Sequence, residues 1–169
     1  MRRRVVRALV IWFGLFQAVH TIFGAHYVIV ERRFMFARSD GVPFPEPAGG
    51  WQPQAVDVIA AMGAVDLVIS VLSVGFAIGY LRGARWSRWL GIVCLTVSVY
   101  AGVVFNWGTM ASGAWKGGSN LTGYLVINIP WLPIVALFAL IPVLDRWSAQ
   151  SDRAVGGAVT PGERPAGAG

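Results

Sequence analysis

Eight polar side chains interrupt the long apolar stretches of this sequence, and any chemistry would fall to them. They are Gln17, His20 and His26, then Asp57 and Asp66, then Tyr100 and Asn106, and last Asn128. An ionisable group at the middle of a hydrocarbon layer costs about 2.5–3.5 kcal/mol on insertion scales. Groups kept there at that cost either do something or hold something together. Two His–Asp pairings suggest themselves. If the first apolar stretch runs outward and the second runs back, His20 and Asp66 fall at nearly one depth, a little more than halfway out. His26 and Asp57 match again close to the outer surface.

Helical phase separates the two pairs. At about 100° per residue, His20 and His26 point about 120° apart, and Asp57 and Asp66 about 180° apart. Gln17, His20 and Gly24 share one face, as do Asp66, Ser70 and Ser73. These faces are expected to turn inward, which makes His20–Asp66 the buried pair and His26–Asp57 a rim contact at interfacial water. Asn106 and Asn128 come at a similar depth. Gln17, His20, Asp66, Asn106 and Asn128 are therefore expected to line one cavity open to the outer side. Pro130 and Pro133 remove backbone donors and should kink the last helix just below Asn128. Two roles stay open for the pair. It can be a protonation site, with desolvation and the neighbouring imidazole pulling the carboxyl in opposite directions. It can equally be a neutral hydrogen-bonded lock between helices, the plainer reading.

Other chemistry finds little support. Both histidines lie on one helix, six apart and on different faces, so they cannot clamp one haem iron. Two His and two Asp lack metal-ligand spacing, and no metal is expected. Cys94 is the single cysteine, which excludes an intramolecular disulfide or a CxxC redox pair. No GxSxG, P-loop or HExxH motif occurs, so no catalytic residue and no cofactor is assigned.

The elements that must position these residues follow from hydropathy. Of 169 residues, 56% are hydrophobic and only 13% charged, half of what a soluble domain carries. Mean hydropathy is +0.60. Four stretches are apolar enough, at about 20 residues or more, to cross a bilayer: 5–30, 55–81, 89–111 and 121–144. The expected fold is all-α, an integral membrane antiparallel four-helix transmembrane bundle over residues 1–147. A short extracytoplasmic loop or hairpin joins the first two helices, and residues 148–169, rich in Gly, Ala and Pro, are expected to be a disordered cytoplasmic tail.

Arginines set the orientation. Arg2, Arg3, Arg4 and Arg7 open the chain, Arg82, Arg85 and Arg88 fill the second loop, and Arg146 and Arg153 follow the fourth span. With an even number of spans these groups share one side, which the positive-inside rule makes the cytoplasm, both termini included. Arg32, Arg33, Arg38 and Lys116 form the smaller outer set. Trp86, Trp89 and Trp147 then lie at inner ends and Trp51, Trp107 and Trp115 at outer ends, as an interfacial belt. Arg82, Arg85 and Arg88 are expected to meet anionic lipid head groups. The net charge of +6 sits beside apolar runs, not on a face of its own, which excludes a nucleic-acid binder. The basic, apolar start also resembles a secretory signal peptide. The apolar run continues to Val30, however, and lacks an A-x-A-like site.

The first outer loop carries FMFARSDGVPFPEP, with a turn signal at Ser39-Asp40-Gly41 and Pro43, Pro45 and Pro47 keeping the chain extended. Phe34, Phe36, Phe44 and Trp51 could lie on lipid, on the bundle, or on a partner. Gly75 and Gly79 form a GxxxG that favours close helix packing.

In architecture alone, four spans with a short basic inner hairpin resemble several small bacterial membrane families, DoxX-like proteins among them. Small multidrug transporters need a first-helix glutamate, claudin-like proteins a tryptophan–cysteine loop signature, and vitamin K epoxide reductase-like enzymes cysteine pairs. None of these is present. The leading expectation is a non-catalytic accessory or interaction subunit in the lipid bilayer, with a membrane protein or a second copy as partner. The alternatives are a proton-linked small-solute carrier or channel using the His–Asp pair, and a quinone- or haem-binding subunit of a membrane oxidoreductase.

Overall fold

The structure, a computed structural model, describes residues 2–29, 42, 44–116 and 118–140. The chain divides into two compact units, 1–138 and 139–169, and of the second only Ala139 and Leu140 are described. The expected tail, the Ser39-Asp40-Gly41 turn and Trp147 all lie outside the described residues, as does the fourth span beyond Leu140.

All regular structure among the described residues is helical: α1 (Arg2–Ile29), α2 (Pro53–Leu81), α3 (Ser87–Ala111), α4 (Gly118–Asn128), a 3₁₀ turn (Ile129–Trp131) and α5 (Leu132–Ala139). Four helical stretches are long and apolar enough to cross a membrane, the fourth running Asn120–Ala139 through the 3₁₀ turn. At about 1.5 Å per residue α1, α2 and α3 each exceed the roughly 30 Å of a hydrocarbon core. Length and composition make these four candidate membrane spans, which suggest a membrane protein. Apolar side chains are exposed along all four stretches, Val19, Ile22, Val68, Val93, Trp107 and Leu125 among them.

Local sequence explains the helix ends. Pro53 opens α2, where its missing N–H would have had no partner, after an extended Gln52 (ψ 137°). The C-termini of α2 and α3 share one device. Gly83 (φ 73°) and Gly113 (φ 77°) take the left-handed conformation that closes a helix. Gly83 N then donates to Tyr80 O (3.0 Å) and Ala84 N to Gly79 O (2.9 Å). In the same pattern Gly113 N donates to Met110 O and Ala114 N to Thr109 O, both at 3.0 Å. The fourth stretch breaks where Pro130 supplies no donor, and Leu132 N bonds back to Ile129 O in a 3₁₀ turn.

Packing falls into two zones. Towards the α2–α3 turn, Val10, Phe13, Phe76, Leu95, Ile134 and Leu137 are buried, with Phe13 and Phe76 rings 6.0 Å apart. At the other end Trp51, Val56, Ile59, Ala114 and Tyr124 form a cluster joined by Phe44, Phe105 and Trp115. Trp115 stacks on Tyr124 at 5.1 Å and donates Nε1–H to Thr109 Oγ1 at 2.8 Å. Trp51 and Trp115 are thus packed inward, not in a belt as their positions suggested, because the loop over residues 44–51 folds onto the helices and gives them a surface to bury. Trp86, Trp89 and Trp107 are exposed.

The GxxxG also acts differently from expectation. Gly75 faces open space, and Gly79 lies under Trp86 and Ser87 of its own turn. Helices approach elsewhere. A Cβ at Gly14 would sit 2.7 Å from Ala77 Cβ, and one at Gly24 would sit 3.0 Å from Leu67 Cδ1. A Cβ at Gly102 would enter the Trp131 indole.

Candidate functional site

Between the two packed zones lies a cavity of about 540 Å³. Its wall takes Gln17, His20 and Gly24 from α1, Met62, Gly63 and Asp66 from α2, and Ser98, Gly102, Phe105 and Asn106 from α3. Asn128 and Trp131 come from the broken fourth stretch, and Phe44 comes from the loop. Gln17, His20, Asp66, Asn106 and Asn128 therefore share one cavity, although they play unequal parts in it.

Asn106 and Asn128 satisfy each other. Asn106 Nδ2 donates to Asn128 Oδ1 (2.7 Å), and Asn128 Nδ2 returns a bond to Asn106 Oδ1 (2.9 Å). Their second N–H groups go to Gly102 O (2.9 Å) and Tyr124 O (2.8 Å). Both amides have spent all their donors, so this pair clasps α3 to α4 and offers a guest only spare lone pairs.

Gln17 and Trp131 stand differently. Gln17 is 2% exposed; its Nε2 donates to Ser98 Oγ (3.2 Å), while Oε1 is buried with no partner. Trp131 Nε1 is likewise buried without a partner. An unmet buried polar atom costs about 1–3 kcal/mol, and both residues line the cavity.

His20 and Asp66 form the charged part of the wall. Nε2 lies 3.9 Å from Asp66 Oδ2, with the side chains 40% and 32% exposed. That separation is an ion-pair distance, too long for a hydrogen bond. Register explains the gap. Thr21 meets Ser70 (Oγ to Oγ, 2.9 Å) and Gly24 meets Leu67, so Asp66 sits over a turn away from level with His20. The His20 ring stacks near Phe16 (4.4 Å), and its Nδ1 lies 3.3 Å from Phe16 O. A carbonyl only accepts, so Nδ1 carries the hydrogen in that contact and Nε2 faces the carboxyl.

No family model, curated protein or solved structure matches this chain.

The remaining candidates lie away from the cavity. His26 and Asp57 are both exposed, and His26 sets its ring edge against Tyr27 at 5.7 Å; no ion pair joins the two. Tyr100 is 68% exposed on the far side of α3, about 200° round from Ser98. Arg82, Arg85 and Arg88 are exposed at the α2–α3 turn, with Arg88 5.9 Å over the Trp89 ring. No cluster of metal-ligating side chains occurs among the described residues.

Sequence reasoning missed Thr21, Ser98 and Trp131, and left Phe44 with three surfaces to choose from. Trp131 carried a signal, since a tryptophan near the middle of a span belongs to no interfacial belt. Ser98 carried none, because a lone serine in a small-residue helix is ordinary.

Proposed function

We propose that this chain is a non-catalytic integral membrane protein that holds one small ring-bearing molecule inside an antiparallel four-helix bundle. The cavity carries this reading. A partly open cleft of about 540 Å³ is lined by six aromatic side chains and a few converging polar groups. Small-molecule sites have this size and character. The antiparallel arrangement is supported by Gly14 against Ala77, Thr21 against Ser70 and Gly24 against Leu67, where numbers rise along one helix and fall along the other. The arginine distribution supports cytoplasmic termini.

A proton-linked carrier is the second reading, favoured by the His20–Asp66 pair on the same wall. The accessory-subunit reading draws less support, because the described part of the outer loop turns inward. Tyr124 Oη donates to Pro45 O (3.0 Å), Asn120 Nδ2 donates to Glu46 O (2.8 Å), and the Phe44 ring lies 4.7 Å from Phe105. Haem has only His20 available in the cavity wall; a quinone is one ring-bearing class that fits.

Native mass spectrometry of gently extracted protein tests the reading. The expected result is wild-type chain carrying one small molecule, and Ala101→Trp, whose indole fills the cavity, folded and bare. A bare wild type bound to a second polypeptide would overturn it in favour of the accessory subunit.

A further inference from the structure

The charge inventory of the cavity narrows the class of guest. Among the described residues its wall contains no Lys or Arg. The ionisable side chains described there are His20 and Tyr27 from α1 and Asp66 from α2; the described residues of α3, α4 and the loop contribute none. Six aromatic side chains, Phe16, Phe23, Tyr27, Phe44, Phe105 and Trp131, surround this single carboxyl. Ring faces are negative and attract cations, most strongly where water is excluded.

From this we infer that the cavity takes a lipophilic organic cation, and that the cation enters in exchange for a proton on the His20–Asp66 pair. The inference rests on the ligand-binding reading above and names its ligand class. Charge balance drives the exchange. With imidazolium facing carboxylate at 3.9 Å, the site carries no net charge. A cation added to that state would leave one positive charge unmatched. If Nε2 gives its proton to water as the cation arrives, Asp66 stays ionised, His20 becomes neutral, and the net charge is again zero. No bond to carbon forms or breaks, and one proton leaves for each cation bound.

The test uses the full chain in detergent and two probes of similar shape, tetraphenylphosphonium and neutral triphenylphosphine oxide. Binding is measured by equilibrium dialysis from about pH 5.5 to 8.5, across the histidine range. Proton release is followed in weakly buffered solution. The expected result is one phosphonium per chain with about one proton released, and affinity rising by up to about tenfold per pH unit while the pair is protonated. Asp66→Asn should weaken phosphonium binding by roughly tenfold, since it removes the partly exposed carboxylate that would face the cation. The proton count needs no variant, so it decides the matter even where Asp66→Asn fails to fold. Binding of the neutral oxide with the cation refused, or cation binding without proton release, would overturn this proposal and leave the ligand-binding reading standing. Refusal of both probes would count against both.

Discussion

The two asparagines at 106 and 128 behave as one unit. Each amide gives one N–H to its partner and one to a backbone carbonyl, and each amide oxygen accepts in return. Replacing one leaves the other's part-buried groups unmet, which costs about 1 kcal/mol or more, whereas replacing both with apolar residues of similar size removes the demand. Asn106→Leu and Asn128→Leu should each lower stability by that amount, and the double variant should lose less than the sum of the two. Unfolding of all three in mixed micelles checks this; additive losses would mean that the clasp is not a unit. Asp66 and His20 differ from this pair because at 3.9 Å no direct hydrogen bond joins them.

The break in the fourth stretch is an element-scale feature with a local cause. Pro130 deprives the helix of a donor, the chain tightens into a 3₁₀ turn, and Trp131 is carried onto Gly102 while Pro130 O accepts from Trp12 Nε1 at 3.2 Å. Gly102 is required there because any Cβ would occupy the space of the indole. Pro130→Ala restores the missing donor and should let α4 run on into α5, strengthening the helix while displacing Trp131 from the cavity wall. Hydrogen exchange is expected to slow across residues 126–134 as ligand retention falls. Unchanged retention with a slowed backbone would mean that Trp131 is not a contact that matters. The loop over residues 44–51 works at the same scale, since its carbonyls are pinned by Asn120 and Tyr124 and its Phe44 closes one side of the cavity.

At the scale of the molecule the question is which way the four spans lie. The basic turn holding Arg82, Arg85 and Arg88 should face the cytoplasm and the α3–α4 connection the outside. In a Cys94→Ser background, Arg85→Cys should react with an impermeant thiol reagent only after inside access is given. Lys116→Cys should react in intact cells. Labelling in the opposite sense would reverse the orientation and put the bundle's outer zone in the cytoplasm. Both positions are exposed, so reactivity reports sidedness, not burial.

The sequence by itself determined what local chemistry controls. Apolar runs of span length, Pro53 at a helix start, Gly83 and Gly113 at helix ends and Pro130 inside the last span act through backbone geometry and transfer energy. They put the helices close to where hydropathy placed them. Gln17, His20, Asp66, Asn106 and Asn128 line one cavity, but the equal depth expected for His20 and Asp66 misses the register by more than a turn. Tertiary structure decided how those five divide their work. That the asparagines exhaust each other, that Gln17 leans on Ser98 with an oxygen unmet, and that register holds His20 and Asp66 at 3.9 Å depend on how far one helix slides along another. Close glycine contacts set that slide, and a glycine's spacing does not reveal which neighbour will press against it: Gly75 meets nothing, and Gly102 meets a tryptophan. The cavity itself is what remains when bulky rings meet across such contacts, and no single stretch of sequence encodes it.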